Sequence, residues 1–207
     1  VEELVRDIKE RDFHLSTGFV GTPYLCHVLT RFERLDVAYK LLEQESFPSW
    51  LLPVCNGATT MWERWNSWTP EDGFGDVSMN SFNHYAYGAI GDWLYSTVAG
   101  LGFDETAPGY QSIRFHPQPG GSLTWAEAKL DTSRGPVAIK WSISENELKI
   151  CLTVPCNSEA TLELPPEWIP ANRHSLEEIK TEMNGTRWNV SPGSHQFDFC
   201  SIESSKV

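Results

Sequence analysis

Apolar residues recur at three- and four-residue spacing through the first half of the chain, which is typical of helices that bury one face. The pattern predicts a first helix around residues 4–8 and a second that begins after Thr22-Pro23, where proline is favoured early in a helix. It predicts a third helix over residues 34–45 and a long last helix over residues 78–101. The first half is therefore predicted to be an array of helices.

After about Pro108 the apolar period changes to two, the period of strands with one buried face. Proline and glycine separate the alternating segments, as expected for turns. We therefore predict an antiparallel β-sandwich of roughly six to eight strands. The predicted domains are a helical one over residues 1–106 and a sandwich over residues 107–207. The alternating segments are 113–116, 123–126, 137–143, 148–154, 160–164 and 197–200.

Residues 47–77, between the third and last predicted helices, are rich in Trp, Pro, Gly and Asn. Loops of this length are uncommon unless they carry function. Within it, Glu63 lies between Trp62 and Trp65, an arrangement typical of surfaces on which enzymes stack and attack a sugar ring. Glu63 is the first candidate for acid/base chemistry. The alternative is a structural carboxylate paired with Arg34 or Arg64.

His84 is the second candidate, because the predicted last helix would place it beside Asn80 and Gly88. It could donate to a sugar hydroxyl or orient an acid, and the alternative is a histidine with a purely structural role. Trp62 and Trp65 have two interpretations as well. They form either an aromatic platform for a sugar or part of the core.

Composition and charge argue against several classes of function. With 28 acidic against 16 basic residues, a net charge of −12 and no basic stripe, nucleic acid is not expected as a partner. No apolar segment is long enough to predict a membrane span. The acids Glu71, Asp72 and Asp76 lack the spacing of a calcium loop, so we expect a solvated turn and neither metal nor cofactor.

Five cysteines occur at irregular spacing without a Cys-x-x-Cys pair. We expect them to be small buried hydrophobic residues, with a disulfide between Cys151 and Cys156 as the alternative. The chain begins at Val1, inside an amphipathic pattern and without an initiator Met or a signal peptide. We interpret it as the C-terminal piece of a longer protein, whose compartment, cytoplasmic or exported, the sequence does not specify.

Three motifs closely resemble the C-terminal portion of bacterial α-L-rhamnosidases of glycoside hydrolase family 78. They are residues 15–23 (LSTGFVGTP), residues 57–65 (GATTMWERW) and residues 78–89 (SMNSFNHYAYGA), and the resemblance covers most of residues 12–155. It implies the C-terminal part of an (α/α)6 barrel followed by a β-sandwich. It also implies hydrolysis of terminal α-L-rhamnose, from a glycoside or polysaccharide, with inversion at the anomeric carbon.

By this resemblance, Glu63 occupies the position of the general base and His84 a position that contacts the sugar. Trp62 and Trp65 would help to shape the rhamnose pocket, whose apolar wall suits the methyl group of the sugar.

One departure from the family is important, because no part of the chain resembles the motif that carries the general acid. About four helices also cannot close a barrel of six hairpins. We therefore expect the chain to supply half of an active site, with the N-terminal part of the same protein missing. Little or no activity and self-association through exposed helix faces are expected of the chain alone.

Two alternatives belong to other function classes. The first is a carbohydrate-binding module that binds sugar through Trp125 or the tryptophan-rich loop, although the alternation around Trp141 predicts that this second indole is in the core. The second is a structural accessory domain that supports a barrel completed by another chain.

Overall fold

The computed structural model describes residues 1–171 and 187–201. Two compact units are present, one formed by Val1–Trp93 with Gly120–Ser122 and the other by Leu94–Pro119 with Leu123–Val207. The first unit is mainly helical and the second contains the larger sheets. A domain boundary between residues 106 and 107 stays a prediction.

The helical unit begins with three helices, α1 (Glu2–Glu10), α2 (Thr22–Arg31) and α3 (Leu35–Leu42), which confirms the first three predicted helices. Acidic residues occupy the first turn of α1 and Lys9 its last turn, where each charge complements the helix dipole. A short helix, α4 (Leu51–Cys55), interrupts the long segment that was predicted as a loop.

The prediction of one long helix over residues 78–101 is wrong for the first half of that range. The chain instead makes an isolated 3₁₀ turn (Val77–Met79), an irregular stretch, a second 3₁₀ turn (Ala86–Ala89), helix α5 (Ile90–Trp93) and a π-helical stretch (Leu94–Ala99). Two glycines lower the helix propensity of the region. The backbone of residues 81–84 bonds to another loop instead of continuing a helix. His84 therefore lies in a loop.

The core of the helical unit forms around Trp93, which is fully buried. Its indole N–H donates to Thr30 Oγ1 over 2.8 Å, and its ring meets Tyr39 edge-on, with centroids 5.3 Å apart. The segment Gly120–Ser122 also belongs to this unit, where the backbone N–H of Ser122 donates to Glu43 Oε1 over 2.6 Å. Hydrogen bonding thus satisfies the one polar atom of the Trp93 side chain that this core encloses.

Beside these helices the first unit has one small hairpin of two strands. The strands are β1 (Trp68–Thr69), β2 (Gly73–Phe74), β3 (Leu101–Phe103), β4 (Ser112–Phe115), β5 (Trp125–Thr132), β6 (Gly135–Ser144), β7 (Glu147–Val154), β8 (Glu159–Glu163), β9 (Trp168–Pro170), β10 (Arg187–Val190) and β11 (Gly193–Ser201). The second unit has a four-stranded sheet in the order β10-β8-β4-β3 and a five-stranded sheet in the order β5-β6-β7-β11-β9. The described residues thus form nine strands there rather than six to eight.

One strand pair departs from the all-antiparallel expectation. β4 and β8 run parallel, with Ser112 opposite Glu159 and Phe115 opposite Leu162. Strands joined by a tight turn must be antiparallel, but a parallel pair needs a long connection. Here that connection contains β5, β6 and β7, so local alternation along the sequence cannot reveal the pair.

Alternation along β6 and β7 buries one face of the five-stranded sheet. Trp141 is fully buried there, as predicted, and its indole N–H donates to the carbonyl oxygen of Val98 over 2.8 Å. Trp188 of β10 lies 5.4 Å from Phe199 of β11, so the two sheets share a core. By contrast, Trp125 on the edge strand β5 is 60% exposed.

The cysteines differ from the expectation. All five thiols are free, so Cys151 and Cys156 form no disulfide. Only Cys26 is buried, and burial raises the pKa of its thiol to about 12. Cys55 and Cys156 are exposed because Cys55 is the last residue of α4 and Cys156 lies in the turn between β7 and β8, so neither is on an inward face.

Gly100 ends the π-helical stretch in a left-handed conformation, with φ of +81°. A Cβ at this position would lie 2.1 Å from the backbone nitrogen of Pro117, which cannot move aside. We predict that Gly100→Ala lowers the free energy of unfolding by at least about 2 kcal/mol, because it adds backbone strain to an overlap. Urea unfolding monitored by tryptophan fluorescence measures the loss.

Gly102→Ala is the matched control, since a Cβ there meets only the carbonyl oxygen of Arg114, at 3.6 Å. We expect it to change the stability by less than about 0.5 kcal/mol. Equal stability of the two variants would contradict the requirement for glycine at position 100.

Candidate functional site

Two loop segments of the helical unit lie side by side, residues 60–63 and residues 81–84, and we call them the paired loops. The backbone N–H of Glu63 donates to the carbonyl oxygen of Ser81 over 2.9 Å, and that of His84 donates to the carbonyl oxygen of Met61 over 2.8 Å. The hydroxyl of Thr60 donates to the carbonyl oxygen of Phe82. This backbone pairing brings the two candidate residues, which are distant in the sequence, into one site.

The half-buried carboxylate of Glu63 is held by the backbone. Ser81 N–H donates to its Oε2 over 2.8 Å, so Glu63 and Ser81 bond to each other twice. Among the described residues no ion pair joins Glu63 to Arg34 or Arg64, and Arg34 instead pairs with Glu2 and Asp36. The structural ion pair considered above is therefore not formed, and one carboxylate oxygen has no hydrogen-bond donor in this part of the chain.

His84 is oriented by stacking and by its backbone. Its ring stacks on Phe19 with centroids 4.8 Å apart and on Tyr85 with centroids 5.7 Å apart. Its Nδ1 accepts the backbone N–H of Ala86 over 3.3 Å. A neutral ring that accepts at Nδ1 carries its proton on Nε2, so His84 presents an N–H donor.

Trp62 and Trp65 are each only 7% exposed. Trp65 stacks on Tyr87 with centroids 3.7 Å apart and meets Trp50 edge-on at 5.8 Å, whereas Trp62 meets Phe82 edge-on at 5.1 Å. These contacts make the two indoles part of the packed layer around the paired loops. Direct contact of either one with a sugar stays a prediction.

Hydrogen bonds to Ser67 hold the segment that connects β2 to residues 81–84. Asn80 Nδ2 and the backbone N–H of Gly75 both donate to the carbonyl oxygen of Ser67, over 3.0 and 2.9 Å. The Asp76 carboxylate accepts the backbone N–H of Ser78 over 2.8 Å, and this hydrogen bond lowers the pKa of Asp76. The side chain of Asn80 therefore anchors the backbone immediately before Ser81.

Of the acids considered for a calcium loop, Glu71 and Asp72 lie in a turn, whereas Asp76 caps the 3₁₀ turn that begins at Val77. Asp72 lies between β1 and β2, and its backbone N–H donates to Thr69 Oγ1 over 3.1 Å. Within residues 1–171 and 187–201, His, Cys, Asp and Glu side chains do not gather in groups of three or more that could hold a metal ion. The helices in these ranges are also too short or too polar to span a membrane.

Sequence reasoning missed the residues that position the candidates. Ser81 acts through its backbone, which no side-chain pattern reveals. Phe19 lies in residues 15–23, for which the sequence predicted only the family resemblance and no positioning role. Its membership in the first of the three motifs was the available signal. Tyr85, which is 87% exposed and stacks on His84, falls within the long helix that was predicted over residues 78–101.

Two family models match the chain consecutively. The bacterial α-L-rhamnosidase 6 hairpin glycosidase domain matches residues 1–98, and the bacterial α-L-rhamnosidase C-terminal domain matches residues 101–177. The two matches divide the chain close to the change from helices to strands.

Curated relatives agree with the family models. An α-L-rhamnosidase of Streptomyces avermitilis is 42% identical over 205 residues, which is 95% of this chain and 19% of the relative. One from Formosa agariphila is 40% identical over 205 residues, which is 95% of this chain and 22% of the relative. The chain thus spans about a fifth of the length of these relatives.

Solved structures show the same fold. The crystal structure of the Streptomyces avermitilis α-L-rhamnosidase complexed with L-rhamnose superposes with a TM-score of 0.80 at 40% identity, covering 95% of this chain and 19% of that one. Native α-L-rhamnosidase from Aspergillus terreus gives a TM-score of 0.80 at 34% identity, covering 95% of this chain and 21% of that one.

The stacking of Tyr87 on Trp65 leads to a stability prediction. We expect Tyr87→Ala to lower the free energy of unfolding by about 3 kcal/mol, because it leaves a cavity in an aromatic layer. Tyr85→Ala removes an exposed ring two positions earlier and is expected to cost less than about 0.5 kcal/mol. Chemical unfolding of both variants compares them, and an equal loss would mean that the layer does not support the paired loops.

Proposed function

Because the chain belongs to the bacterial α-L-rhamnosidase family and corresponds to the C-terminal part of its members, we propose that it is part of an inverting glycoside hydrolase. The complete enzyme removes terminal α-L-rhamnose from glycosides or polysaccharides. In this proposal, residues 1–106 contribute the last helices of an (α/α)6 barrel and residues 107–207 form a β-sandwich.

Glu63 is the proposed general base, and its anchoring by Ser81 is the observation that carries the proposal. One carboxylate oxygen accepts the Ser81 N–H, which leaves the other free to take a proton from water. The oxygen of that water attacks the anomeric carbon as the bond to the leaving oxygen breaks. A general acid gives its proton to the leaving oxygen from the opposite side, at a carboxyl separation of about 6.5 to 9.5 Å.

His84 is proposed to contact the sugar through Nε2–H, which can donate to a ring hydroxyl. Its stacking between Phe19 and Tyr85 fixes the direction of that donor. Trp62 and Trp65 are proposed to shape the pocket with the aromatic residues that they contact, because an apolar wall suits the methyl group of rhamnose.

The proposed general acid lies in the part of the protein that this chain does not contain. Two observations support this division of the site. The chain spans about a fifth of its relatives, and several large apolar side chains of the helical unit are exposed. They include Val20, Tyr24, Phe32, Phe47 and Val54. Exposed apolar surface of this kind is typical of an interface, so we also propose that the isolated chain self-associates.

The first test compares Glu63→Gln and Glu63→Ala with the wild type, in the longest form of the protein that includes upstream residues. We expect the hydrolysis rate of an aryl α-L-rhamnoside to fall by roughly 10² or more, because the water loses its base. Release of the aryl group measures the rate. NMR of the first-formed sugar anomer reports whether the configuration inverts.

Glu71→Gln is the matched control, since it makes the same chemical change in an exposed turn of the same segment. It should leave turnover unchanged. Wild-type turnover in Glu63→Gln with the fold intact would remove Glu63 from the mechanism, and the paired loops would then have a binding or packing role.

A second test uses the 207-residue chain alone. We expect no turnover of the aryl rhamnoside above background, because the general acid is missing. We also expect a concentration-dependent mass in light scattering, because apolar helix surface is exposed. Turnover that depends on Glu63 would contradict the proposed division of the site, and a monodisperse monomer would contradict the proposed self-association.

A second candidate function is an accessory module that binds carbohydrate or supports the enzyme without catalysis. The exposed indole of Trp125 on an edge strand favours it, because exposed aromatic rings stack on sugars. Sugar binding that persists when residues 1–105 are removed would support this candidate.

A further inference from the structure

The four-stranded sheet has a polar outer face. Its inward residues on β4, β8 and β10 are apolar and buried, while the alternate positions carry polar or charged side chains. The register aligns these side chains in rows across the strands. Arg187 pairs with Glu163, and Asn189 pairs with Thr161, which in turn pairs with Arg114.

Two depressions cover this face, with volumes of about 680 and 470 Å³. The larger is lined by Phe103, Asp104, Arg114, Glu163 and Arg187, among others. The smaller extends towards Asn189 and Ser191. Ser112 and Thr161 line both depressions, so the two lie side by side, and we call them together the sheet groove.

Two charged side chains of the groove, Arg114 and Glu163, are held in place before any ligand binds. Arg114 Nη2 lies 3.3 Å from Glu163 Oε2, and His116 Nδ1 lies 3.3 Å from the same oxygen. Burial favours a higher pKa for Glu163, but His116, Arg114 and Arg187 outweigh it, so its pKa lies below the usual value and the group is a carboxylate. Fixed side chains lose little entropy on binding.

The groove offers both hydrogen-bond donors and hydrogen-bond acceptors, and its net charge is small. Its larger depression contains two arginines and three acids, Asp104, Glu105 and Glu163. In the part of the chain that the structure describes, the side chains of Thr161 and Asn189 lack hydrogen-bond partners. Sugar hydroxyls donate and accept at once, so alternating donors and acceptors suit them, whereas a polyanion would meet the acids.

An aromatic side chain borders the groove. Phe103 is 47% exposed, and its ring is supported by Tyr110, with centroids 5.4 Å apart. An exposed, supported ring beside hydrogen-bonding side chains can stack on the apolar face of a pyranose.

From this arrangement we propose that the sheet groove is a binding site for a neutral oligosaccharide, separate from the site at Glu63. The groove crosses several strands spaced about 4.8 Å apart, so its ligand spans more than one sugar unit. Since all groove residues belong to the second unit, binding there requires neither Glu63 nor the rhamnosidase activity proposed above.

The experiment measures retention of the 207-residue chain on immobilised neutral oligosaccharides of four to eight sugars, in separate cello-, manno-, xylo-, galacto- and rhamno-series. We expect at least one series to retain the wild type. Arg114→Ala and Asn189→Ala should each weaken that retention at least fivefold. Circular dichroism checks the fold, and because Asn189 is exposed and makes no side-chain hydrogen bond among the described residues, its variant leaves the packing intact.

Two controls separate the possible outcomes. Lys149→Ala removes a cation from an ion pair on the five-stranded sheet and should leave retention unchanged. Loss of retention in Trp125→Ala alone would assign binding to the edge strand and overturn the proposal. Retention by none of the series, or preferential, salt-sensitive retention by acidic polysaccharides, would overturn it as well.

Discussion

The pairing of two loops by backbone hydrogen bonds is the constraint on which the candidate site depends. Neither residues 60–63 nor residues 81–84 form regular secondary structure, and yet the reciprocal bonds between Glu63 and Ser81 fix both. Such short segments have little intrinsic order, so their position depends on surrounding packing. The stacked aromatic layer beneath them, from Trp50 through Trp65 and Tyr87 to Phe19, supplies it.

In this arrangement, the contacts that orient the two candidate side chains do not involve the atoms that could contact a substrate. Carboxylate orientation comes from a backbone N–H, and the direction of the His84 donor comes from ring stacking and the Ala86 N–H. The two candidate side chains are therefore oriented without dedicated side-chain hydrogen bonds, and within the described residues one oxygen of Glu63 and the Nε2 of His84 have no hydrogen-bond partner. Preorganised groups of this kind are more effective than flexible ones, because binding does not have to order them first.

The sequence predicted those parts of the fold in which local pattern determines structure. The first three helices have amphipathic periodicity and residues typical of helix ends. Buried and exposed residues alternate along strands such as β6 and β7. Prediction of a helix through His84 was wrong because apolar spacing alone cannot show that a backbone N–H bonds elsewhere. Similarly, Glu63 and His84 were identified by residue type and resemblance, but Ser81 acts through an atom that every residue except proline has.

The parallel pair of β4 and β8 has a consequence for the order of folding. Hairpins of β5, β6 and β7 join neighbouring segments, so their loops close at small entropic cost. By contrast, β4 can pair with β8 only after β5, β6 and β7, which lie between them in the sequence, have been made. Contacts between distant segments slow folding. During synthesis the ribosome therefore releases β4 well before β8 exists, and one edge of β4 is exposed in the nascent chain until the hairpins of β5, β6 and β7 have brought its partner back.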